Sequence, residues 1–477
     1  MKLPIIIQGG MGAYVSSWRL TQAVSRLGQL GVVSGTALDY ILSRRLQDGD
    51  PDGRIRRALE HFPFPRMARR ILDAHFIPGG RKPNTPYRLT RLHLVEGERA
   101  AQELCVASNF VEIFLAREGH TNPVGINYLE KIQLPHLPSL YGAMLAGVAV
   151  VIVGAGIPME FPAALAALAE HQPAIYTIHV ADAQSGGDCR MVFDPALFRE
   201  STQSLPPLTR PQFLPIISSD ALALILCKKM KGPLDGFVVE GPLAGGHNAP
   251  PRGLLKLTAD GQPQYGPRDE VNLEVLRKLG LPFWLAGSYG SPERVQSALA
   301  AGAAGVQVGT PFALCVESGL TPELRHALIH KALTGQAKVF TDPIASPTGF
   351  PFKVAELEGT LSDNAVYLNR RRVCDLGFLR EAYRRADGSI GYRCAAEAEA
   401  AFVAKGGKPE LIKGRKCLCN ALIANVGMSQ KLADGSEELP LVTLGDDFAG
   451  IGRFCSLDET DYAAADVIRI LLSGGRT

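Results

Sequence analysis

The sequence predicts an α/β protein built on a (β/α)8 barrel, and three observations lead there. Eight short apolar runs recur through the first 340 residues, helical segments stand between them, and glycine-containing loops follow several of the runs. Most of the runs are continuous apolar stretches of about five residues, the pattern of strands buried on both faces of a parallel sheet. Eight strands alternating with helices over this length favour a closed barrel over an open doubly wound sheet.

In order, the predicted strands are Leu3–Gln8, Gly31–Ser34, Pro123–Asn127, Val148–Val153, Phe213–Ile217, Gly236–Val239, Pro282–Ala286 and Gly305–Val308. The predicted helices are Ser17–Leu30, Leu137–Gly147, Met159–His171, Ser219–Lys231, Leu273–Leu279 and Pro292–Ala301. Two segments interrupt the rhythm. Residues 38–121 are too long for a βα connection; they contain helical material at Ile55–Leu59 and Ala100–Arg117 around a Pro/Gly/Arg-rich middle. Residues 173–210 hold two strand-like runs, Ile175–Val180 and Arg190–Phe193. They are separated by Ser185-Gly186-Gly187-Asp188 and read as a hairpin beside the barrel. The barrel is therefore assigned to residues 1–340, with insertions at about 38–121 and 173–210. Residues 341–477 form a helix-rich, charged C-terminal region that carries five of the nine cysteines. A region of this size commonly makes a homodimer contact or a lid, and the sequence does not choose between them.

Bulk composition excludes several function classes. Hydrophobic residues at 46% and charged residues at 20% are normal for a globular chain and exclude wholesale disorder. The 50 Lys+Arg nearly balance 47 Asp+Glu, so nothing points to a nucleic-acid or membrane-surface partner. The one dense basic stretch, Arg370-Arg371-Arg372 with Arg380, Arg384 and Arg385, reads as a solvated helix face. The longest apolar stretch, 143–158, is shorter than the ~20 residues of a membrane span. Without a leader-like segment, and with an odd number of scattered cysteines, a cytoplasmic protein with reduced thiols is expected.

Chemistry concentrates at the predicted strand ends. Gly287-Ser288-Tyr289-Gly290 follows the seventh strand and Gly309-Thr310 follows the eighth. Glycine admits close backbone approach, and the helix starts behind these turns direct free N–H groups outward, which suits an anion. One such turn would serve only the chain reversal. Two at the ends of strands seven and eight point to a phosphate, the usual place for one in barrels. After the sixth strand, Gly245-Gly246-His247 lets a flat ligand lie on backbone beside an imidazole that acts as base or donor. A lone loop histidine is usually structural; its position at a strand's C-terminal end singles this one out. The first strand ends in Gln8-Gly9-Gly10-Met11-Gly12, which suits a ring packed on backbone, and Asn127 adds an amide at the third strand end.

As a set, Ile-Ile-Gln-Gly-Gly-Met-Gly, Asn-Pro-Val-Gly-Ile-Asn, Gly-Pro-Leu-Ala-Gly-Gly-His and Gly-Val-Gln-Val-Gly-Thr-Pro-Phe-Ala-Leu-Cys-Val-Glu-Ser resemble the nitronate monooxygenase family. That family shades into flavin-type enoyl-acyl-carrier-protein reductases. The resemblance spans about residues 3–340 without the two insertions. It implies FMN in the barrel, with Gln8–Gly12 and Asn127 near the ring and Gly245 and Gly246 beside it. Gly287, Ser288, Gly290, Gly309 and Thr310 would hold the phosphate, and His247 would be the catalytic histidine. Two motifs depart from the family: Pro242-Leu243-Ala244 replaces the usual Glu-Ala before Gly-Gly-His, and Gly-Ser-Tyr-Gly replaces Gly-Gly-Ile.

The activity implied first is oxidation of a small-molecule nitronate with O2. The alternatives are an NAD(P)H-dependent flavin reductase of enoyl thioesters and a flavin-free phosphate-binding isomerase or lyase. Cys374, Cys394, Cys417 and Cys419 lack the paired C-x2-C spacing of zinc ribbons, so no metal ligand is assigned.

Overall fold

The computed structural model describes residues 2–182, 187–200, 205–432 and 434–473. Eight parallel strands close into a barrel: β1 Ile6–Gln8, β2 Leu30–Ser34, β3 Val124–Leu129, β4 Val150–Gly154, β5 Gln212–Ile217, β6 Phe237–Glu240, β7 Phe283–Ala286 and β8 Gly305–Val308. The closing seam pairs Ile6 with Val306 and Gln8 with Val308. All eight predicted strands are present, Gly305–Val308 with the predicted bounds and the others shifted by up to three residues at an end. Their β-branched residues are enclosed because one face meets the barrel interior and the other meets the helices. Ile7, Val32, Val150, Ile152, Leu214, Val238 and Trp284 fill the interior, and the Trp284 indole N–H donates to Pro4 O at 2.9 Å across its floor.

Local signals start several of the outer helices. Ser219, Ser291 and Thr321 each accept a hydrogen bond from the backbone N–H three residues on, and Asn272 accepts from Glu274, which satisfies donors that the first turn leaves open. The long interruption after β2 is helical: Leu38–Gln47, Arg54–Glu60, Pro65–His75 and Arg99–Arg117. The last of these packs on Trp18–Arg26 and His136–Leu145 and takes the place of the β2–β3 connecting helix. In the second interruption, Ala174–Ile178 pairs antiparallel with Cys189–Phe193. The predicted hairpin turn at Ser185-Gly186 lies outside the described residues.

After β8 the chain makes the short helix Thr310–Ala313, the helix Pro322–Leu333, the strand pair Val339–Asp342/Phe352–Ala355, and the hairpin Glu381–Arg384/Ile390–Arg393. Its last helix, Ala464–Leu472, returns to pack against both Trp18–Arg26 and Pro292–Ala300. That is the position of the barrel's eighth helix, so the C-terminal segment completes the ring. Its strands and loops also carry the arginine stretch, which is not a solvated helix face. Arg370 lies beyond the end of helix Asn364–Asn369 and pairs bidentately with the buried Glu438, and Arg384 sits on a strand. Ion pairing and packing use these cations where composition alone suggested solvent. Among the described residues no helix is long and apolar enough to cross a membrane.

Candidate active site

Every barrel strand contributes its C-terminal end to one cavity of about 1200 Å³, open at its mouth. Gly9, Ser34, Asn127, Gly154, Ile216, Glu240, Ala286 and Val308 are those contributions. Most of the predicted site residues converge there: Gly9, Gly10, Met11, Gly12, Asn127, Gly245, Gly246, His247, Gly287, Ser288, Gly309 and Thr310 all line it.

Two predicted residues are placed differently. Gln8 is fully buried off the cavity. Its Oε1 accepts from Val32 N at 3.1 Å, and its Nε2 donates to Ser16 Oγ at 2.9 Å and to Gly9 O. The amide is thus used within the protein to hold the β1 turn, because period-two alternation turns Gln8 away from the position of Gly9. Gly290 N–H donates at 2.8 Å to Asp447 Oδ2, so a carboxylate of this chain occupies that donor.

The glycine lining has a steric reason. A Cβ on Gly10 would lie 2.0 Å from Asn127 Oδ1, and one on Gly245 would lie 2.9 Å from Gly445 N. Asn127 Nδ2 donates to Gly10 O at 3.2 Å, while its Oδ1 is buried without a partner. An orphaned acceptor in a cavity wall is costly unless a ligand donor meets it. Glycine backbone on β1, β6, β7 and β8, with this free acceptor, fits a flat heterocycle bearing N–H and a phosphate tail. Ser288, at φ 62°, is a non-glycine residue in left-handed backbone in the turn after β7, the kind of strain that collects at functional sites.

The C-terminal segment encloses this end. Gly445 N–H donates to Thr310 Oγ1 at 2.9 Å, Gly246 N–H donates to Thr443 Oγ1 at 2.7 Å, and Arg453 donates to Gly290 O at 2.7 Å. Asp447 lines the cavity, and burial raises its carboxyl above the usual range although Gly290 N–H acts against that.

His247 is held by the same region. Its Nε2 lies 2.7 Å from Ser346 Oγ, and Ser346 Oγ is in turn 2.8 Å from Thr348 Oγ1. The ring meets Phe352 edge to face at 4.9 Å, and Lys353 N–H donates to Gly246 O at 2.9 Å. Loss of water around the imidazole lowers its pKa to about 4, so it is neutral at pH 7. Glu240 behaves oppositely: burial raises its carboxyl to about 8, which keeps it protonated at pH 7.

A second cavity of about 870 Å³ adjoins the first, and Ala155, Ile216, Glu240 and His247 line both. Ile157, Ile217, Leu222, Pro250 and Phe350 make most of its wall apolar, and Arg252 and Tyr265 add polar groups. Sequence reading passed over Glu240, Ser346, Thr443 and Asp447. Glu240 alone had a legible signal, as a carboxylate closing an apolar strand run; the other three reach the site through long-range contacts.

Fold and site together define a barrel enzyme scaffold with a glycine-lined cavity at the strands' C-terminal ends. Residues 211–343 match the model of the nitronate monooxygenase family. That segment holds β5 to β8 with Glu240, His247 and the turns after β7 and β8, so the resemblance seen in the motifs is borne out, and an oxidoreductase is supported. No curated protein matches the chain. Among solved structures, FabK from Thermotoga maritima is similar over 99% of this chain and 93% of its own, at 16% identity and a TM-score of 0.50, which bears out the barrel fold. A nitroalkane oxidase from Streptomyces ansochromogenes aligns over 99% and 96% of the two chains, at 13% identity and a TM-score of 0.47. The enoyl reductase domain of MlnA from Bacillus amyloliquefaciens aligns over 98% and 94%, at 11% and 0.43.

Proposed function

We propose that this chain is an FMN-dependent oxidoreductase whose substrate meets the flavin at His247 and Glu240. The observation that carries the reading is the placement of these two side chains on both cavities, one lined by glycine backbone and one lined mainly by apolar side chains. The glycine-lined cavity would hold FMN, with the ring over Gly9–Gly12 and near Asn127, Gly245 and Gly246. The phosphate would lie against Gly287, Ser288, Gly309 and Thr310. Bound there, the flavin supplies reversible two-electron chemistry.

The protein's own contribution is positioning and proton control. His247, neutral and held by Ser346, presents its other ring nitrogen to a substrate as hydrogen-bond partner or proton acceptor. Glu240, protonated at pH 7, is a proton donor in the same place. Two titratable groups driven in opposite directions divide the acid and base roles between them.

Oxidation of a nitronate with O2 is the first reading, supported by the family match over 211–343. Reduction of an enoyl thioester is the second, favoured by the 870 Å³ apolar cavity and the protonated Glu240, which suit an acyl chain that must gain a proton. Protein reconstituted with FMN is expected to show a bound-flavin spectrum, and a colourless protein would sink both readings. Under anaerobic conditions, bleaching by a nitronate and not by NADH identifies the oxidase. The reverse identifies the reductase.

A further inference from the structure

We propose that Cys374, Cys394, Cys417 and Cys419 form a structural zinc site, a four-thiolate centre far along the chain from the flavin motifs. The four come from three separate passages. Cys374 lies in the segment after helix Asn364–Asn369, Cys394 directly follows strand Ile390–Arg393, and Cys417 and Cys419 flank the first residue of helix Leu418–Ala424. They nevertheless pack into one small cluster whose only other member is Ala396. Four of the chain's nine cysteines thus meet where a hydrophobic core would place aliphatic side chains, and all four are free thiols.

The surroundings supply the sulfurs with hydrogen-bond donors. Backbone N–H groups of Ala396, Asn420, Phe378 and Leu379 approach Cys394, Cys417 and Cys419, and Asn420 Nδ2 lies 3.7 Å from Cys417 Sγ. Such donors around the ligands orient and stabilise metal-bound thiolates. Arg380, Arg370 and Arg415 act electrostatically on Cys374, Cys417 and Cys394 respectively. Asp375 and Glu397 act on Cys374 in the opposite sense, and Glu438, which pairs with Arg370, does so on Cys417. Zinc binding releases one proton per thiol to solvent and changes no oxidation state.

Among the described residues no three His, Cys, Asp or Glu side chains already stand as a metal site, so binding would have to draw the four clustered thiols closer together. Soft thiolates in a closed, all-sulfur set select zinc for a structural role. The role follows from what adjoins the cluster. Lys416 N–H donates to Ala345 O at 2.8 Å, and Arg415 donates to Ile344 O at 2.8 Å and to Ser346 O. The residues next to Cys417 therefore hold the loop between Val339–Asp342 and Phe352–Ala355 that carries Ser346, the partner of His247.

Elemental analysis of the full-length protein tests this, with about one zinc per chain expected. Replacing zinc by cobalt is expected to give the long-wavelength absorption and thiolate charge transfer of a tetrahedral all-sulfur site. The double variant C417S/C419S should lose the metal, whereas C227S, which alters an exposed cysteine outside the cluster, should keep it. Should the double variant fail to fold, the cobalt spectrum of the unaltered chain decides. A folded, metal-free chain with all thiols titratable would overturn the proposal. A disulfide within the cluster, or iron with acid-labile sulfide, would overturn it equally.

Discussion

His247 Nε2 and Ser346 Oγ stand 2.7 Å apart although 99 residues separate them in the chain. Ser346 is fully enclosed, and its hydroxyl meets the imidazole at Nε2, so it bears on the ring's tautomer and tilt. It acts through His247 and is a positioning residue. Removing the hydroxyl in S346A is expected to lower kcat/KM about tenfold, the equivalent of about 1.4 kcal/mol, with KM little changed. S346T restores the hydroxyl and should recover most of the loss. H247A should keep its flavin and lose about 10²–10⁴ of turnover; steady-state kinetics with a flavin spectrum of each variant checks the series.

The two cavity titrations define a pH window. His247 is neutral above about 4 and Glu240 is protonated below about 8. Turnover that needs both is expected to hold between these limits, falling on the acid side as His247 gains its proton and on the alkaline side as Glu240 loses its own. E240Q should be slower and should flatten the alkaline limb; a limb that persists unchanged in E240Q assigns it to another group.

The same carboxyl predicts a stability trend. A carboxyl whose folded pKa is raised from 4.5 to about 8 favours the folded state at low pH. That contribution is full below about pH 4.5 and is lost as pH rises toward 8, because the unfolded chain ionises first. Between pH 5 and pH 8, E240Q should therefore lose less thermal stability than the unaltered protein, by on the order of a few kcal/mol at most. Melting curves at the two pH values measure it.

Asp447 accepts from Gly290 N–H, at the end of the cavity proposed for the FMN phosphate. A carboxylate there repels a flavin phosphate, and burial already favours its protonated form. FMN affinity is expected to weaken as pH rises through the Asp447 titration. D447N should bind FMN about tenfold more tightly at pH 8 and remove that dependence. Riboflavin, which lacks the phosphate, should bind both forms alike. Equal gains for the two ligands would place Asp447 away from the phosphate.

Gly10 and Asn127 test the ring end. The Cβ of G10A would fall 2.0 Å from Asn127 Oδ1, so the amide or the β1 turn must move, and flavin binding should drop by at least about tenfold. The double variant G10A/N127A relieves the clash and should fold as stably as N127A alone. Flavin retention on desalting and thermal melting distinguish a lost ligand contact from a misfolded turn.

Sequence alone determined the barrel and most of its rim. A strand buried on both faces is written locally as a short β-branched run, and Val150-Val-Ile-Val-Gly154 cannot easily be read otherwise. The strand-end glycines and His247 were legible for the same reason, since each adjoins the strand that positions it. Gln8 shows the limit: strand alternation, and not adjacency, decided that its amide holds the turn.

Only the tertiary structure decided what closes the site. Ser346, Thr443 and Asp447 meet His247, Gly246 and Gly290 across 99, 197 and 157 residues. The four cysteines gather from three passages without a ligand spacing that could be read in advance. The eighth helix of the ring, Ala464–Leu472, lies more than 150 residues beyond β8. Such contacts have no periodicity and no neighbouring signal. They arise from how a long C-terminal segment packs back on the barrel, and side-chain complementarity across that surface sets them.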